Sequence, residues 1–562
     1  MDVVNVNSLI DLLHYNAINY GEKTPAFCYK RKGVWWKYSW KDYFGYVSAL
    51  ASYFYNLGIK SGDWVLLYGP NSPEICMAEM AVYAVGGISL TIRDFWDFQQ
   101  LHQLISKYEV KALVLRGREE ISKLLPFGDV LGKEKNIIFW DYKGISDFSF
   151  SNLKGFREII HESLSKPIEV NRNIPPENIC TCVYSEGVTE FATHLYTHEY
   201  ILQNARKLIE KEQLTKKDVI MPFFPPVRSM DKIFMFGVHL LSGCTLAFAE
   251  REETYMEDLK EIKPTVLYFS GRTWENLYKN VKIKIPNAGI FRKIWDDLFK
   301  VEGDNENSAK RFLVNLAFCK PLKTKLGLEK VKLCYNIGPL VCDEVIKFFK
   351  VIDVVFKNIY WNKKIGLISI TQGIAENPGD MGFPFAGVEV FQTPDGFEVK
   401  AYERIKLDDM GIIKEDGKIE LWGRKGEVFL KGNEGVPFQI LESELRAMEQ
   451  IKDAFVFKEN GTLSALIVPD PDKLTELARS KGIEHLTLSE LLEKEEVLRY
   501  IKEGVSKVNQ KLLEGLRIKR FKILLKPFNI FEGHITLTGH FRRQKIMNEI
   551  VNTKDYLKEV EM

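Results

Sequence analysis

Several things are scarce in this chain of 562 residues, and each scarcity excludes a class of protein. Its eight cysteines include no CxxC pair, which removes the usual zinc-ribbon and thioredoxin spacings and fits reduced thiols. Cys180 and Cys182 flank Thr181 in an apolar run, ICTCVY, so a buried strand is the expected home of both rather than a metal site. No apolar run approaches the about 18 residues of a spanning helix. The first residues, MDVVNVNSLIDLL, have no basic start followed by a long apolar stretch, so no secretory signal is expected. A net charge of +2 gives no basic bias of the kind a nucleic-acid surface needs. These absences lead to the expectation of a cytoplasmic protein with no nucleic-acid partner. Peripheral contact with the inner face of a membrane stays open.

What is present is an ordinary globular composition, 45% hydrophobic and 27% charged, in a chain too long for one core. Ser39 with Asp42 three positions on predicts a helix start, and Val47, Leu50, Phe54 and Leu57 follow at helical spacing before Gly58. Trp64–Tyr68 and Ile88–Ile92 read as strands on either side of a helix opened by Ser72-Pro73-Glu74. Strand–helix–strand at this spacing implies parallel pairing. Thr265–Phe269, Val331–Tyr335 and Val354–Tyr360 read as further buried strands. The pattern changes near Gly423-Arg424. Beyond it Phe455–Lys458 and Leu463–Val468 flank Asn460-Gly461, a hairpin signal, and then come a long helix from about Leu488 to Leu513 and a last strand, Phe521–Leu525. The expected domains are 1–422 and 423–562.

The chemistry-bearing segment is Thr181–His198, TCVYSEGVTEFATHLYTH. It is similar to the Tyr-Thr-Ser-Gly-Thr-Thr-Gly-x-Pro-Lys-Gly phosphate loop of adenylate-forming enzymes. Other segments agree in the same order. Pro264-Thr265 with Gly271-Arg272-Thr273-Trp274-Glu275-Asn276-Leu277-Tyr278 resembles a signature of long-chain acyl-CoA synthetases. Leu326–Val331, Phe348–Tyr360, Ala465–Asp470 and Val508–Leu512 match strings of that family. The resemblance runs from about Ser8 to Met547. It implies an α/β fold: a large N-terminal adenylate-forming domain with parallel-rich sheets flanked by helices, and a small mobile α+β C-terminal lid. It implies a reaction in which a fatty acid and Mg·ATP give an acyl-adenylate and pyrophosphate, and coenzyme A then takes the acyl group.

The resemblance also assigns roles, position by position. Ser185, Gly187, Thr189, Gly338, Tyr360, Asp409 and Arg424 fall on nucleotide-binding positions, with Asp409 on the ribose-binding carboxylate. Gly423 takes the place of the hinge aspartate, and Arg228 that of a histidine at the acyl entrance, where it is read either as attracting a carboxylate or as a surface salt bridge. Departures cluster on the reactive groups. The phosphate loop is one residue short, its lysine position reads Ala192, and Glu186 and Glu190 stand in or beside it. A carboxylate against a phosphate is opposed by roughly 4 kcal/mol per unit pair at 4 Å. The Tyr-Gly-x-Thr-Glu motif reads Tyr360-Trp361-Asn362-Lys363-Lys364, so Lys364 replaces the carboxylate that helps hold Mg²⁺. His540, in Thr536-Leu537-Thr538-Gly539-His540, replaces the lid lysine that neutralises charge in the adenylation step. The segment between Lys400 and Leu407 is much shorter than its family counterpart.

Three readings follow. The chain is a degenerate synthetase that binds a fatty acid, an acyl-CoA or a partner; or an active, divergent fatty acid–CoA ligase in which Lys363, Lys364 and His540 are new phosphate contacts; or a structural subunit associated with an active homologue. Homo- or hetero-oligomers fit all three.

Overall fold

The computed structural model describes residues 8–92, 98–124, 136–148, 152–164, 174–186, 191–285, 289–300, 314–431, 434–484, 486–536 and 538–562. They form two compact units. The first comprises Met1–Leu267, Leu326–Val331 and Asn362–Gly366, and the second Tyr268–Lys325, Lys332–Trp361 and Leu367–Met562.

In the first unit a seven-stranded sheet runs in the order Leu153–Gly155, Asn136–Phe139, Ala112–Leu115, Trp64–Tyr68, Ile88–Ile92, Ile179–Glu186, Phe191–Thr197. Every neighbouring pair is parallel except the last, an antiparallel hairpin. Strands such as Ile88–Ile92 are buried along their whole length, as expected where both faces are covered. Leu66, Leu90, Leu113, Ile137 and Cys182 share one core cluster here. Helices start where the sequence places them. Ser39 and Asp42 form a reciprocal capping box on Trp40–Asn56, and Ser72 caps Pro73–Ala84 with Pro73 in the first turn. A second group of strands pairs Val34–Ser39, Pro25–Arg31, Thr245–Phe248 and Val219–Ile220. All eight cysteines are buried and none forms a disulfide, Cys180 and Cys182 lying on the strand Ile179–Glu186.

The core of the first unit holds a charged node. Glu79 accepts from Tyr83 and Ser89, each at 2.6 Å, and from Thr181 and Thr91, each at 3.2 Å. Lys232 closes it with an ion pair, and neither Glu79 nor Lys232 is exposed. Burial without such partners costs a charge several kcal/mol, about 3–5 kcal/mol when one partner is removed.

In the second unit Leu333–Asn336 runs parallel to Val355–Asn362. Asp380–Pro384, Ile419–Arg424 and Asp409–Ile413 continue by antiparallel pairing. The short segment after Lys400 is a hairpin turn: Gly396–Lys400 pairs directly with Arg404–Leu407. A four-stranded sheet follows in the order Ile451–Glu459, Thr462–Pro469, Ile518–Ile523, Lys558–Glu561. Asn460-Gly461 makes the tight turn between its first two strands. The expected single helix from Leu488 to Leu513 is instead two, Leu488–Glu493 and Glu495–Asn509, broken where Lys494 is extended at φ −73°, ψ 133°. The expected boundary at Gly423 lies inside the strand Ile419–Arg424, with both flanks in the second unit.

Among the described residues no helix is long and apolar enough to cross a membrane.

Candidate functional site

The residues singled out from the sequence fall into a group in each unit. In the first unit Ser185 lies on the strand Ile179–Glu186, opposite Ala192 in the antiparallel ladder, and Glu186 is opposite Phe191. The ladder occupies the backbone up to that pair. Gly187, Thr189 and Glu190 lie outside the described residues. Further along, Thr197 accepts from the Tyr200 amide at 3.0 Å and caps the helix His198–Glu212. His198 is buried, and burial lowers its pKa to about 4.

The turn carrying Lys363 and Lys364 is tied to this hairpin. The Lys363 carbonyl accepts from Tyr196 at 3.0 Å and Tyr200 at 3.1 Å, whose rings stack at 4.4 Å. His194, on the strand Phe191–Thr197, has its pKa lowered to about 4 by burial and by the charges of Lys363 and Lys364. Lys364 itself is exposed. An ammonium at this position does not coordinate a hard cation, which takes oxygen ligands. Among the described residues no group of three or more His, Cys, Asp or Glu side chains is placed to hold a metal ion. An ammonium at 364 does not fit the Mg²⁺-holding carboxylate that the sequence resemblance assigns to that position.

Arg228 makes a salt bridge, as one of its two sequence expectations had it, but in the interior. It is not a surface residue: it is buried, and its Nε and Nη2 meet the two Asp231 oxygens at 2.8 and 2.7 Å. Its guanidinium also covers the Phe224 ring at 4.6 Å. A bidentate pair of this kind commits the charge to its own helix turn.

In the second unit four of the expected residues, Asp409, Arg424, Gly423 and Tyr360, are brought near one another by strand pairing and one hydrogen bond. Asp409 faces Arg424, and Met410 faces Gly423, across the Asp409–Ile413 and Ile419–Arg424 ladder. Gly423 has φ +134°, a region that side-chain-bearing residues rarely adopt, which explains glycine there. Tyr360, buried, donates its hydroxyl to Asp409 Oδ2 at 2.7 Å. Burial raises the Asp409 pKa, opposed by the Tyr360 bond and by Arg424.

His540 is half-buried, and its pKa is lowered to about 3 by burial first and then by Arg424, Arg543 and Arg272, against the opposing charge of Glu427. The neutral imidazole is the form this surrounding holds at pH 7. Its loop is fastened from behind. Arg272 donates to the Gly539 carbonyl at 2.9 Å and to Asp453 at 2.9 Å, and its guanidinium lies over Phe541 at 4.4 Å. Arg543 is engaged with Glu442 at 2.8 Å and with the Val456 carbonyl at 2.8 Å. Gly338, after the strand Leu333–Asn336, borders the same loop: a Cβ there would stand 2.7 Å from the Thr538 carbonyl oxygen.

Sequence reasoning missed Glu275, Arg446, Asp453 and Glu442, which hold this arrangement in place. Only Glu275 carried a signal, as part of the Trp274-Glu275 string. Arg446 meets it through bonds of 2.6 and 2.9 Å, both residues buried.

The chain is similar to known proteins in both sequence and fold. The family model described as "AMP-binding enzyme" matches residues 14–394. The long-chain-fatty-acid–CoA ligase ACSBG2 of Xenopus laevis is 21% identical over 589 residues, covering 92% of this chain and 79% of that protein. The long-chain-fatty-acid–CoA ligase FadD15 of Mycobacterium bovis is 20% identical over 561 residues, covering 92% of each. Among solved structures, the A domain of a carboxylic acid reductase from Segniliparus rugosus, bound to AMP and a co-purified carboxylic acid, superposes with a TM-score of 0.74. It is 15% identical, and the match covers 98% of this chain and 93% of that one. The anthranilate CoA ligase AuaEII, bound to anthranoyl-AMP, superposes with a TM-score of 0.73 at 13% identity, over 98% of this chain and 99% of that one.

Proposed function

The chain belongs to the AMP-binding enzyme family, and on that premise we propose that it is an acyl-CoA synthetase homologue that has lost ATP-driven adenylation. Its retained role is to bind an acyl-type ligand, a fatty acid or acyl-CoA, or a partner protein. The family reaction would join fatty acid, ATP and coenzyme A into acyl-CoA, AMP and pyrophosphate. Asp409 keeps the carboxylate suited to a ribose diol, with Arg424 opposite it.

The observation that carries the reading is the state of His540. The step that builds negative charge between carboxylate and α-phosphate needs a preorganised positive donor, and removing one such donor costs about 10²–10³ in rate. His540, at a pKa of about 3 beside three guanidinium groups, is neutral across the physiological range. Two of those guanidinium groups are not substitutes, since Arg272 and Arg543 are bonded to Asp453, Glu442 and backbone carbonyls. Lysines at 363 and 364 instead of threonine and glutamate remove the metal-side contribution as well.

One observation favours the second reading, an active divergent ligase. The Lys363–Lys364 turn is fixed by Tyr196 and Tyr200, and its charges reach His194 on the hairpin that carries Ser185. Ammonium groups carried on that turn would serve a phosphate as point charges. Acyl-adenylate and acyl-CoA formation from Mg·ATP, coenzyme A and a fatty-acid panel separates the two, with product expected only on the second reading. The lid motion implied by Gly423 and the boundary at 422/423 belong to the same proposal.

A further inference from the structure

The chain leaves the strand Ile518–Ile523 at Leu524 and returns to pair beside it as Lys558–Glu561, with the Leu557 amide donating to the Ile523 carbonyl at 2.9 Å. Between those points it folds back and encloses a cavity of about 580 Å³, the size of an ordinary small-molecule site. None of its lining residues is a nucleotide, hinge or lid position. The wall is apolar at Leu524, Phe528 and Ile550, which belong to the core cluster around Phe455. The charge is acidic: Glu532, Glu549 and Asp555 line the cavity against one lysine, Lys526, and Lys545 engages Glu549 at 2.9 Å. His534 lines it too, with its side chain only 9% exposed. Burial lowers the His534 pKa and Lys545 adds to this, against Glu532 and Glu549, so the ring stays neutral. A neutral ring with its proton on Nε2, toward Glu549 Oε2 at 3.6 Å, leaves Nδ1 as a lone-pair acceptor. Nδ1 is buried and receives no hydrogen bond from the chain. Glu532 Oε2, 3.3 Å from it, is an acceptor as well. Two acceptors this close, with no donor of the chain between them, call for a donor from outside.

We propose that this cavity is a binding site for a small organic cation, a primary ammonium on an apolar body, with His534 Nδ1 and Glu532 accepting from its N–H groups. An ammonium brings three donors and a full charge, which matches a ring nitrogen and a carboxylate set side by side. Hydrogen bonds with an ionised partner are about twice as strong as neutral ones. Leu524, Phe528 and Ile550 take the hydrocarbon part out of water. Glu549 and Asp555 attract a cation and repel an anion, so neither a fatty acid nor a nucleotide suits the site. The site stands whether or not the chain has lost adenylation.

The test is calorimetric titration of the full-length chain with 2-phenylethylamine and n-hexylamine, each set against the alcohol of the same skeleton, 2-phenylethanol and 1-hexanol. Near neutral pH an alkylamine with a lysine-like pKa of about 10.4 is charged, and the alcohol is not. Wild type is expected to bind at least one amine about 10-fold tighter than its alcohol, the size of one hydrogen bond to a charged group. Glu532 is half-exposed, so Glu532→Gln is expected to keep the fold, checked by circular dichroism, and to remove that preference with alcohol binding unchanged. The ¹⁵N resonance of His534 Nδ1, assigned by its absence from His534→Gln, is expected to move as amine is added to wild type. It is expected to stay in place in Glu532→Gln over the same concentrations. Amines and alcohols that bind alike, or not at all, overturn the proposal. So does an amine preference that survives Glu532→Gln, or amine binding that leaves the His534 resonance unmoved.

Discussion

Arg446 and Glu275 form a buried, two-pronged ion pair, with bonds of 2.6 and 2.9 Å, between the helices Phe438–Arg446 and Gly271–Lys284. Asp453 stands next to both arginines of the cluster, bonded to Arg272 at 2.9 Å and 3.7 Å from Arg446. Leu340 and Cys342 add backbone donors to Gln439 and Ser443 at 3.1 and 2.8 Å. The C-terminal part of the second unit is thus joined to the segment around Gly271 by buried polar bonds, which are costly to break singly.

Glu275→Ala leaves the Arg446 charge buried without its partner and is expected to lower stability by about 3–5 kcal/mol. The double variant Glu275→Ala/Arg446→Ala is expected to lose less than the sum of the two single changes. Chemical denaturation of the four proteins measures this, and strict additivity would show that the pair is not coupled.

The same logic applies to Lys232 and Glu79 in the first unit, which are fully buried together. Glu79→Ala is expected to cost about 3–5 kcal/mol and to loosen the strand carrying Thr181. By contrast Lys41–Glu22 is a surface pair at 3.1 Å, and Glu22→Ala is expected to stay within about 0.5 kcal/mol of wild type. Equal losses at the two sites would contradict the burial argument.

Gly423 sits at φ +134°. Gly423→Ala forces a side chain into that backbone region and is expected to cost about 1–3 kcal/mol, although an added Cβ would have 3.8 Å to its nearest neighbour, Val428. Thermal unfolding checks it. A neutral effect would mean that the strand relaxes to negative φ.

Four histidines give the chain an acid-sensitive stability. His194 and His198 titrate at about 4 in the folded protein, and His239 and His540 at about 3, all depressed first by burial. Unfolded, each returns to about 6.5. Between those values the unfolded chain binds more protons, so this stability is complete above about pH 6.5 and is lost as the pH falls toward 3. His239 stacks on Trp40 at 4.5 Å and its Nδ1 lies 2.7 Å from the Cys244 carbonyl oxygen. His239→Gln is expected to flatten the acid slope by about one proton. Denaturant midpoints across that pH range give the slope, and an unchanged one contradicts the assignment.

Local signals in the sequence were legible because they act within a few residues. The Ser39–Asp42 box, Ser72-Pro73 and Asn460-Gly461 each specify their element without help from the rest of the chain. The alternation of strand and helix indicated the parallel sheet of the first unit, and the motif strings indicated the family. The break at Lys494 was hidden because Leu491, Leu492, Val497 and Ile501 all read as one apolar stripe, while Thr487 caps a separate short helix. The pairing of Pro25–Arg31 with Thr245–Phe248, and the last strand Lys558–Glu561, depend on partners far along the chain. Site geometry was the least legible part. Tyr360 and Asp409 are 49 positions apart, and Glu275 and Arg446 are 171 apart, so no spacing rule connects them. The salt bridge of Arg228 read as a surface one because the depth of its neighbour Asp231 is a property of the folded core.

His540→Lys alone is expected to leave adenylation undetectable, since Lys363, Lys364 and the shortened loop remain, and the new ammonium would join three guanidinium groups. Its folded state is expected to be less stable than wild type, read by thermal unfolding. Gain of acyl-adenylate on this single change would show that the lid position was the one missing part.

The central claim is that this family member no longer activates carboxylates with ATP. Mass-spectrometric detection of acyl-adenylate and acyl-CoA, after incubating folded protein with Mg·ATP, coenzyme A and saturated fatty acids from short to long chain, tests it most directly. The account expects no product above an Asp409→Ala control at any chain length. Product above that control, from even one fatty acid, would contradict it and make Lys363, Lys364 and His540 working parts of a divergent ligase.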